Sequence, residues 1–260
     1  MLLQDKVAIV TGIGPAMGRS IALAYAREGA KLVLAARRDD RLQAVRDEVE
    51  AAGAEVLAVP TDITNREACK RLVDQTLDRF GHVDILVQNG HYDGDYKIVA
   101  DSDLDDWRAI MEVNLFGALH LVQLVAPSMR ARGDGRIVLI NTGASTDPPA
   151  TLGAYAASKA ALASLVRTIA VELGPEGIRA NGVQLGSVQG ENWSGWVQSG
   201  SAEAGMTPEA FEAEQWKDIP LRGIPTADDC AGAVVFLASD LARPITGQSL
   251  AVNNGSWFVS

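Results

Sequence analysis

The chain has 260 residues, of which 47% are hydrophobic and 22% are charged, and its formal net charge is −10 at pH 7. This length allows one large α/β domain with a substantial core, or two small domains. The negative charge, with no long run of Lys or Arg to offset it, argues against nucleic acid or an anionic membrane surface as the main partner.

The two cysteines, Cys69 and Cys230, lie far apart and lack the spacing of a metal site. We interpret them as free thiols, which suit a reducing and hence cytoplasmic location, and we expect no metal site at the histidines either. The N-terminus lacks the features of a signal peptide. Because His120 and Pro127 interrupt the most apolar stretch, 113–129, we predict a core helix there, and no membrane span.

Short β-rich runs alternate with helix-length segments along the whole chain. The strands have a near-continuous apolar character, which is typical of a parallel sheet buried on both faces. This alternation predicts an α/β domain spanning 1–260, with a doubly wound, mainly parallel, seven-stranded sheet and helices on both faces. The predicted strands are 6–11, 31–36, 55–60, 82–89, 135–141, 178–185 and 248–252. The predicted helices are 16–29, 39–53, 65–80, 103–131, 152–174 and 226–239.

The segment TGIGPAMG, residues 11–18, connects the first predicted strand to the first helix. Its glycines, Gly12, Gly14 and Gly18, would let the backbone approach a ligand closely. A pyrophosphate could then bind at the helix N-terminus, where unpaired N–H groups and the helix dipole favour negative charge. This position, after a first strand and at the start of a helix, predicts a dinucleotide site.

The end of the second predicted strand carries the residues that would meet the adenosine ribose. An acidic residue there would favour NAD, but this chain has Ala36 followed by Arg37 and Arg38. A guanidinium could pair with a 2′-phosphate, which favours NADP and leaves NAD possible. The alternative is that the two arginines are simply solvated at a helix start.

Tyr155 and Lys159 are four residues apart on a predicted helix and therefore share one face. A neighbouring ammonium favours the phenolate, so we expect Lys159 to lower the pKa of Tyr155. Such a pair could act as a general acid and base on a carbonyl or an alcohol. Taken alone, the pair is common by chance and could be an ordinary surface pair.

Residues 186–225 depart from the strand–helix alternation and are rich in Gly, Ser and Glu. A long insertion of this kind is often a lid, and Trp193, Trp196 and Trp216 suggest an apolar pocket wall. A neutral, fairly hydrophobic secondary alcohol or ketone would suit such a wall. The alternative is a surface excursion that the tryptophans merely pack down.

Further motifs occur in one order with these: DILVQNG at 84–90, Asn114 in MEVNLFG and Thr142 in IVLINTGAS. From Val7 to Gly255 the chain resembles the short-chain dehydrogenase/reductase family. The resemblance implies a Rossmann-type fold and an NAD(P)(H)-dependent oxidoreductase that interconverts a secondary alcohol and a ketone. It also implies a homotetramer, whose subunits would pack through the long apolar helices.

The resemblance also implies the roles of individual residues. Tyr155 would exchange a proton with the substrate oxygen, and Lys159 would assist it and hold the nicotinamide ribose. Asn114 would support a water linked to Lys159, and Thr142 would take the place of the family's serine, which bonds the substrate oxygen. The expected cofactor-binding residues are Gly12, Gly14, Met17, Gly18, Arg37, Arg38, Asp62, Ile63, Asn89, Gly90, Tyr155, Lys159 and Val188.

Several positions depart from the family pattern. Ala16 replaces a loop glycine, and we expect it to be tolerated if its backbone is helical and not left-handed. His91 replaces a glycine, so it either contacts ribose or substrate or is merely accommodated. Leu185 replaces a proline, and Gly190 replaces the threonine that would anchor the nicotinamide amide, which puts the lid geometry in doubt.

Two other functions remain open at this stage. A dinucleotide-binding regulatory protein without turnover would explain the departures at His91 and Gly190. A methyltransferase that uses a nucleotide methyl donor could share the fold. Because neither has a use for both Tyr155 and Lys159, the active enzyme is the favoured interpretation.

Overall fold

The computed structural model describes residues 1–258, without the side chain of Asn192. Within these residues, seven strands form one parallel sheet in the order β3-β2-β1-β4-β5-β6-β7. The predicted doubly wound parallel sheet is therefore confirmed. The strands are β1 Val7–Thr11, β2 Lys31–Ala36, β3 Val56–Pro60, β4 Ile85–Gln88, β5 Gly135–Thr142, β6 Ile178–Leu185 and β7 Ser249–Val252.

Nine α-helices lie in the described part of the chain, and each of the six predicted helical segments contains at least one of them. The segment predicted as a single helix over 103–131 is divided by a π-helical turn, Glu112–Phe116. The helices are α1 Met17–Arg27, α2 Asp39–Ala51, α3 Arg66–Phe80, α4 Leu104–Met111, α5 Gly117–Arg132, α6 Gly153–Leu173, α7 Glu191–Ala204, α8 Pro208–Trp216 and α9 Ala227–Ala238.

Each face of the sheet is covered by its own hydrophobic cluster. Tyr25 of α1 and Cys230 of α9 are fully buried in one cluster, and Leu72 of α3, Leu121 of α5 and Val166 of α6 are buried in the other. Both cysteines are free thiols, as predicted. Burial raises the pKa of Cys69 to about 11 and that of Cys230 to about 12, so neither is a reactive thiolate near neutral pH.

The fourth strand begins three residues later than predicted, at Ile85, and side chains bond the residues just before it. The backbone N–H of Val83 donates to Ser128 Oγ at 3.0 Å. The buried Asp84 carboxylate accepts the Val7 N–H at 2.9 Å and lies 2.9 Å from His82 Nε2. The Asp84 backbone also donates to the Val7 carbonyl at 3.0 Å and accepts the Arg136 N–H at 2.9 Å, so backbone contact with the neighbouring strands begins at Asp84.

The continuous helical stretch Leu104–Arg132 is long and apolar enough to cross a membrane by length and composition alone. However, 44% of its most apolar window is buried within the domain. Leu121, Val125 and Met129 of this stretch are completely buried in the core cluster. Its apolar character is therefore explained by packing, as expected for a core helix.

The strand order reverses between β1 and β4, which neighbour each other at the centre of the sheet. In an open α/β sheet, the helices on either side of such a point diverge and leave a crevice at the carboxyl ends of the strands. Gly12 follows β1 and Asn89 follows β4, so the two predicted cofactor segments meet at this crevice.

Candidate active site

A cavity of about 830 Å³ lies at the carboxyl edge of the sheet. The glycine-rich loop and the three arginines after β2 line one part of it, and Thr142, Tyr155 and Lys159 line another. Every residue that the sequence places in the site lies in this wall, with the exception of Asn114. Segments from eight different parts of the chain therefore converge on a single pocket.

The backbone of the loop after β1 requires glycine at two of its three positions. Gly12 has a φ of +69°, and a Cβ there would lie 2.2 Å from the backbone N of Gly90. A Cβ on Gly18 would lie 2.5 Å from the Gly12 carbonyl oxygen. Asn89 Nδ2 donates to that same carbonyl at 2.8 Å and so ties the end of β4 to the loop.

The start of α1 offers backbone donors to the cavity. Its N-cap is Ala16, and no side chain caps the helix. Uncapped N–H groups at a helix N-terminus, approached through a glycine-rich turn, form a site that suits a pyrophosphate. The residues around α1 therefore fit a dinucleotide.

Three arginines face the cavity beyond β2. Arg38 is held by Asp40, with 2.7 Å between Nη2 and Oδ2, and this bond lowers the pKa of the Asp40 carboxyl. Among residues 1–258, Arg37 and Arg41 form no ion pair. Sequence reasoning missed Arg41, although its position four residues after Arg37, in the first turn of α2, places both near the same end of the helix.

Lys159 is almost completely buried, and its Nζ donates to the carbonyl oxygen of Ile140 at 3.0 Å. Nζ lies 5.8 Å from the centroid of the Tyr155 ring. Burial lowers the pKa of Lys159 to about 8, and the negative charge of Asp93 opposes that shift. The ammonium group is therefore partly deprotonated at mildly alkaline pH.

The pKa of Tyr155 shifts upward, in the direction opposite to the expected one. Burial raises the pKa of Tyr155 above its usual value, and the charge of Asp93 raises it further. A side-chain hydrogen bond with Thr142 acts in the opposite direction but is the smaller effect. The phenol is thus protonated at neutral pH, with the Thr142 hydroxyl beside it.

Asn114 lies behind the cavity wall, fully buried on the π-helical turn. Its Oδ1 accepts the Tyr92 N–H at 2.8 Å, and its Nδ2 donates to the Tyr92 carbonyl at 3.0 Å and to Ser158 Oγ at 2.9 Å. Such π-turns are frequent at functional sites. Here the turn lets one amide join the loop after β4 to the catalytic helix α6.

The predicted lid segment contains α7 and α8, and its tryptophans do not form the expected pocket wall. The ring centroids of Trp193 and Trp196 are 4.9 Å apart, and Trp196 lies 5.1 Å from Phe211. Trp193 Nε1 donates to Glu212 Oε1 at 2.6 Å. In the described residues, no tryptophan lines the cavity, because Trp193 and Trp196 pack against each other on α7 and Trp196 also packs against Phe211 of α8.

The comparisons with known proteins agree with this geometry. A family model described as Enoyl-(Acyl carrier protein) reductase matches residues 12–256. The 7alpha-hydroxysteroid dehydrogenase of Escherichia coli (strain K12) is 34% identical over 253 residues, which are 97% of this chain and 94% of that protein. The chain belongs to the short-chain dehydrogenase/reductase family.

Solved structures of relatives extend the similarity to the whole fold. L-sorbose reductase from Gluconobacter frateurii, complexed with NADPH and L-sorbose, has a TM-score of 0.93, with 28% identity and 100% of each chain covered. A 7α-hydroxysteroid dehydrogenase complexed with NADH and 7-oxo glycochenodeoxycholic acid has a TM-score of 0.86, with 35% identity and coverage of 97% of this chain and 94% of that one. This short-chain dehydrogenase/reductase is accordingly an NAD(P)-dependent enzyme that acts on CH–OH groups.

Two departures of this short-chain dehydrogenase/reductase from the family pattern lie close together. Ala16 has φ −104° and ψ −111°, so its backbone is neither helical, as its tolerance was expected to require, nor left-handed. Gly190 has an extended backbone, with φ 164°, and a Cβ there would meet only Ala16 Cβ, at 3.5 Å. The Ala16 side chain is therefore accommodated, and position 190 has room for a side chain larger than that of glycine.

Gly190→Thr is expected to strengthen NADP(H) binding about three- to tenfold, because a hydroxyl at the start of α7 would restore one hydrogen bond to the nicotinamide amide. The extended backbone and the 3.5 Å contact allow the substitution. Calorimetric titration measures the change, with Gly190→Ala as the control that adds carbon without a hydroxyl. Equal affinity in the two variants would show that the hydroxyl has no partner in the complex.

Proposed function

We propose that the enzyme interconverts a secondary alcohol and a ketone with a preference for NADP(H), and that Tyr155 is its proton donor and acceptor. Lys159, Asn114 and Thr142 assist Tyr155. The observation that carries the proposal is the single cavity shared by the dinucleotide-binding loop and the Thr142–Tyr155–Lys159 group. Cofactor and substrate bound there would be adjacent, as hydride transfer requires.

The cofactor would lie along the wall of the cavity. The N-terminus of α1 would bind the pyrophosphate, Asp62 and Ile63 would hold the adenine, and Val188 would meet the nicotinamide carboxamide. Bound NADPH would supply the hydride for reduction of the ketone, and bound NADP+ would accept it in the reverse direction. Arg37 and Arg38 would bind the 2′-phosphate. Because Arg38 pairs with Asp40, the Arg37 guanidinium is the more available of the two for this contact.

The proton is handled by the chain's own residues. The Tyr155 phenol, protonated at neutral pH, can donate to a developing alkoxide on the substrate. Thr142 can bond the same oxygen through its hydroxyl, which also bonds Tyr155. The buried charge of Lys159 would stabilise the phenolate that remains, because electrostatic interactions are strengthened away from water.

The proposed substrate is neutral and largely hydrophobic. Support comes from the apolar residues Val113, Ile140 and Leu185, which line the cavity with the catalytic group, and not from the lid tryptophans. We also propose a cytoplasmic homotetramer. The exposed apolar side chains Leu104 and Val171, on α4 and α6, support subunit contacts through these helices.

NADP+ is expected to bind more tightly than NAD+ by at least tenfold, and Arg37→Ala should weaken NADP+ binding about tenfold while leaving NAD+ unchanged. The reason is that only NADP+ carries a 2′-phosphate for the guanidinium. Parallel calorimetric titrations at one salt concentration measure both affinities. Turnover of a panel of ketones with NADPH then tests the reaction itself.

The control for Arg37 is Arg46→Ala, since Arg46 lies on the helix α2 that follows Arg37 but pairs with Asp47 and does not line the cavity. An equal loss for both cofactors in Arg37→Ala, or tighter NAD+ binding by the wild type, would contradict the proposed preference. Failure of both cofactors to bind would overturn the proposed function.

A further inference from the structure

The loop of residues 91–97, HYDGDYK, is a fixed structure beside the catalytic helix. Asn114 bonds both backbone groups of Tyr92, and the Asp106 carboxylate accepts the Asp95 N–H at 3.0 Å. Gly94 has a φ of +72°, and a Cβ there would lie 2.3 Å from Ile110 Cδ1. These contacts with the π-turn and α4 set the direction of the side chains on either side.

The Asp93 carboxylate differs from its acidic neighbours because it has acceptor capacity to spare. Asp95 bonds Lys97 at 3.0 Å, and Asp106 bonds the loop backbone. Within the part of the chain that the structure describes, Asp93 accepts no hydrogen bond, and its nearest basic atom is His91 Nε2 at 3.5 Å. Its side chain is only 31% exposed. A half-buried carboxylate without donors is available to a ligand.

The Asp93 carboxylate does not itself line the cavity, but it lies 3.5 Å from the imidazole of His91, which does. Its negative charge raises the pKa of Tyr155 and opposes the lowering of the pKa of Lys159 and of His91. His91 itself lines the cavity together with Tyr155. Burial and the charge of Lys159 lower the pKa of His91, so its imidazole is neutral at pH 7.

We propose that His91 and Asp93 form a polar subsite beside Tyr155 that binds a second hydroxyl group of the substrate, next to the reacting carbon. The substrate class would be a 1,2-diol or the corresponding α-hydroxyketone. This inference rests on the proposed function and adds one polar group to an otherwise hydrophobic substrate.

The chemistry of the subsite selects a hydroxyl over other groups. A carboxylate can only accept hydrogen bonds, whereas a neutral imidazole has one donor and one acceptor nitrogen, so together they match a group that both donates and accepts. An anionic group would be repelled by Asp93. A cationic amine would be repelled by the nearby Lys159 ammonium, which already balances the Asp93 charge.

The test compares matched pairs of secondary alcohols and 1,2-diols, such as cyclohexanol and trans-cyclohexane-1,2-diol, as substrates with NADP+. The wild type should show a kcat/KM at least tenfold higher for the diols. Asp93→Asn should lose most of that preference, measured as the ratio of kcat/KM for the diol to kcat/KM for the matched alcohol, because the amide keeps the size of the side chain but presents a weaker acceptor. Loss of the Asp93 charge also changes the pKa of Tyr155, but that effect is common to both substrates and cancels in the ratio. Asp95→Asn, on the same loop, should behave as the wild type.

The outcomes separate this inference from the function on which it rests. Equal kcat/KM for diols and simple alcohols in the wild type, or an equal loss for both in Asp93→Asn, overturns the subsite and leaves the alcohol dehydrogenase intact. A preference for amino alcohols over diols overturns it as well. Absence of turnover with every alcohol and every diol overturns the proposed function and the subsite together.

Discussion

Tyr155→Phe is expected to lower kcat by about 10²–10⁴-fold while NADP(H) binding changes little, since positioned general acids contribute rate enhancements of that order. The phenol is the titratable group in the cavity that bonds Thr142 and lies over Lys159. Phenylalanine retains the ring on α6 but removes the hydroxyl and its proton. Steady-state turnover of the best alcohol or ketone, together with calorimetric cofactor titration, measures both quantities on the same protein.

Cofactor affinity is the internal control for this variant. The loop after β1 and the arginines would make most of the contacts with the cofactor, whereas Tyr155 would contribute only its hydroxyl. A variant that binds neither cofactor has lost its fold or its pocket. Turnover equal to that of the wild type would show that Tyr155 does not transfer the proton. Cofactor binding without turnover in both proteins would favour the dinucleotide-binding regulatory protein.

The fold could be predicted from the sequence because its signals are local and repeated. Apolar runs such as KLVLAA and GRIVLIN form strands of the sheet. The segments between them have the apolar periodicity of helices, which must cover the two faces of that sheet. The π-turn at Glu112–Phe116 could not be predicted in this way, because its apolar pattern continues that of the helices on either side. Its consequence, the placement of Asn114 against Tyr92, follows from packing against α6.

Site residues could be predicted where a sequence motif reflects a local backbone conformation, and less well where a residue's position depends on tertiary contacts. Gly12 and Gly18 occur where a side chain would collide with the backbone, so the loop can be recognised from its glycines. Asp93 gave no such signal, because its position depends on Asn114 and Asp106, which are distant in the chain. The role of Trp193 was mistaken for a different reason, since its ring packs on Trp196 and bonds Glu212 within the predicted lid segment and does not face the cavity.

Lys159→Met is expected to stabilise the protein at neutral pH, by up to about 3 kcal/mol, while abolishing most of its activity. Burial lowers the pKa of Lys159 from the usual 10.5 to about 8. Below pH 8 both the folded and the unfolded chain carry the charge, so folding bears the full cost of burying it. Urea unfolding at pH 7 and at pH 10, on the wild type and the variant, measures this cost.

The sign of the pH dependence distinguishes this effect from ordinary repacking. Between about pH 8 and pH 10.5 the unfolded chain binds more protons at Lys159 than the folded chain does, so the free energy of unfolding of the wild type rises with pH relative to that of Lys159→Met. The stabilising effect of Lys159→Met should therefore shrink from pH 7 to pH 10.

The control is Lys70→Met, which removes an exposed ion pair with Asp74 and should show no such trend. A constant difference between wild type and Lys159→Met at both pH values would mean that Lys159 has an ordinary pKa. A cost that does follow pH would show that the enzyme sacrifices stability to keep a buried ammonium beside its catalytic phenol.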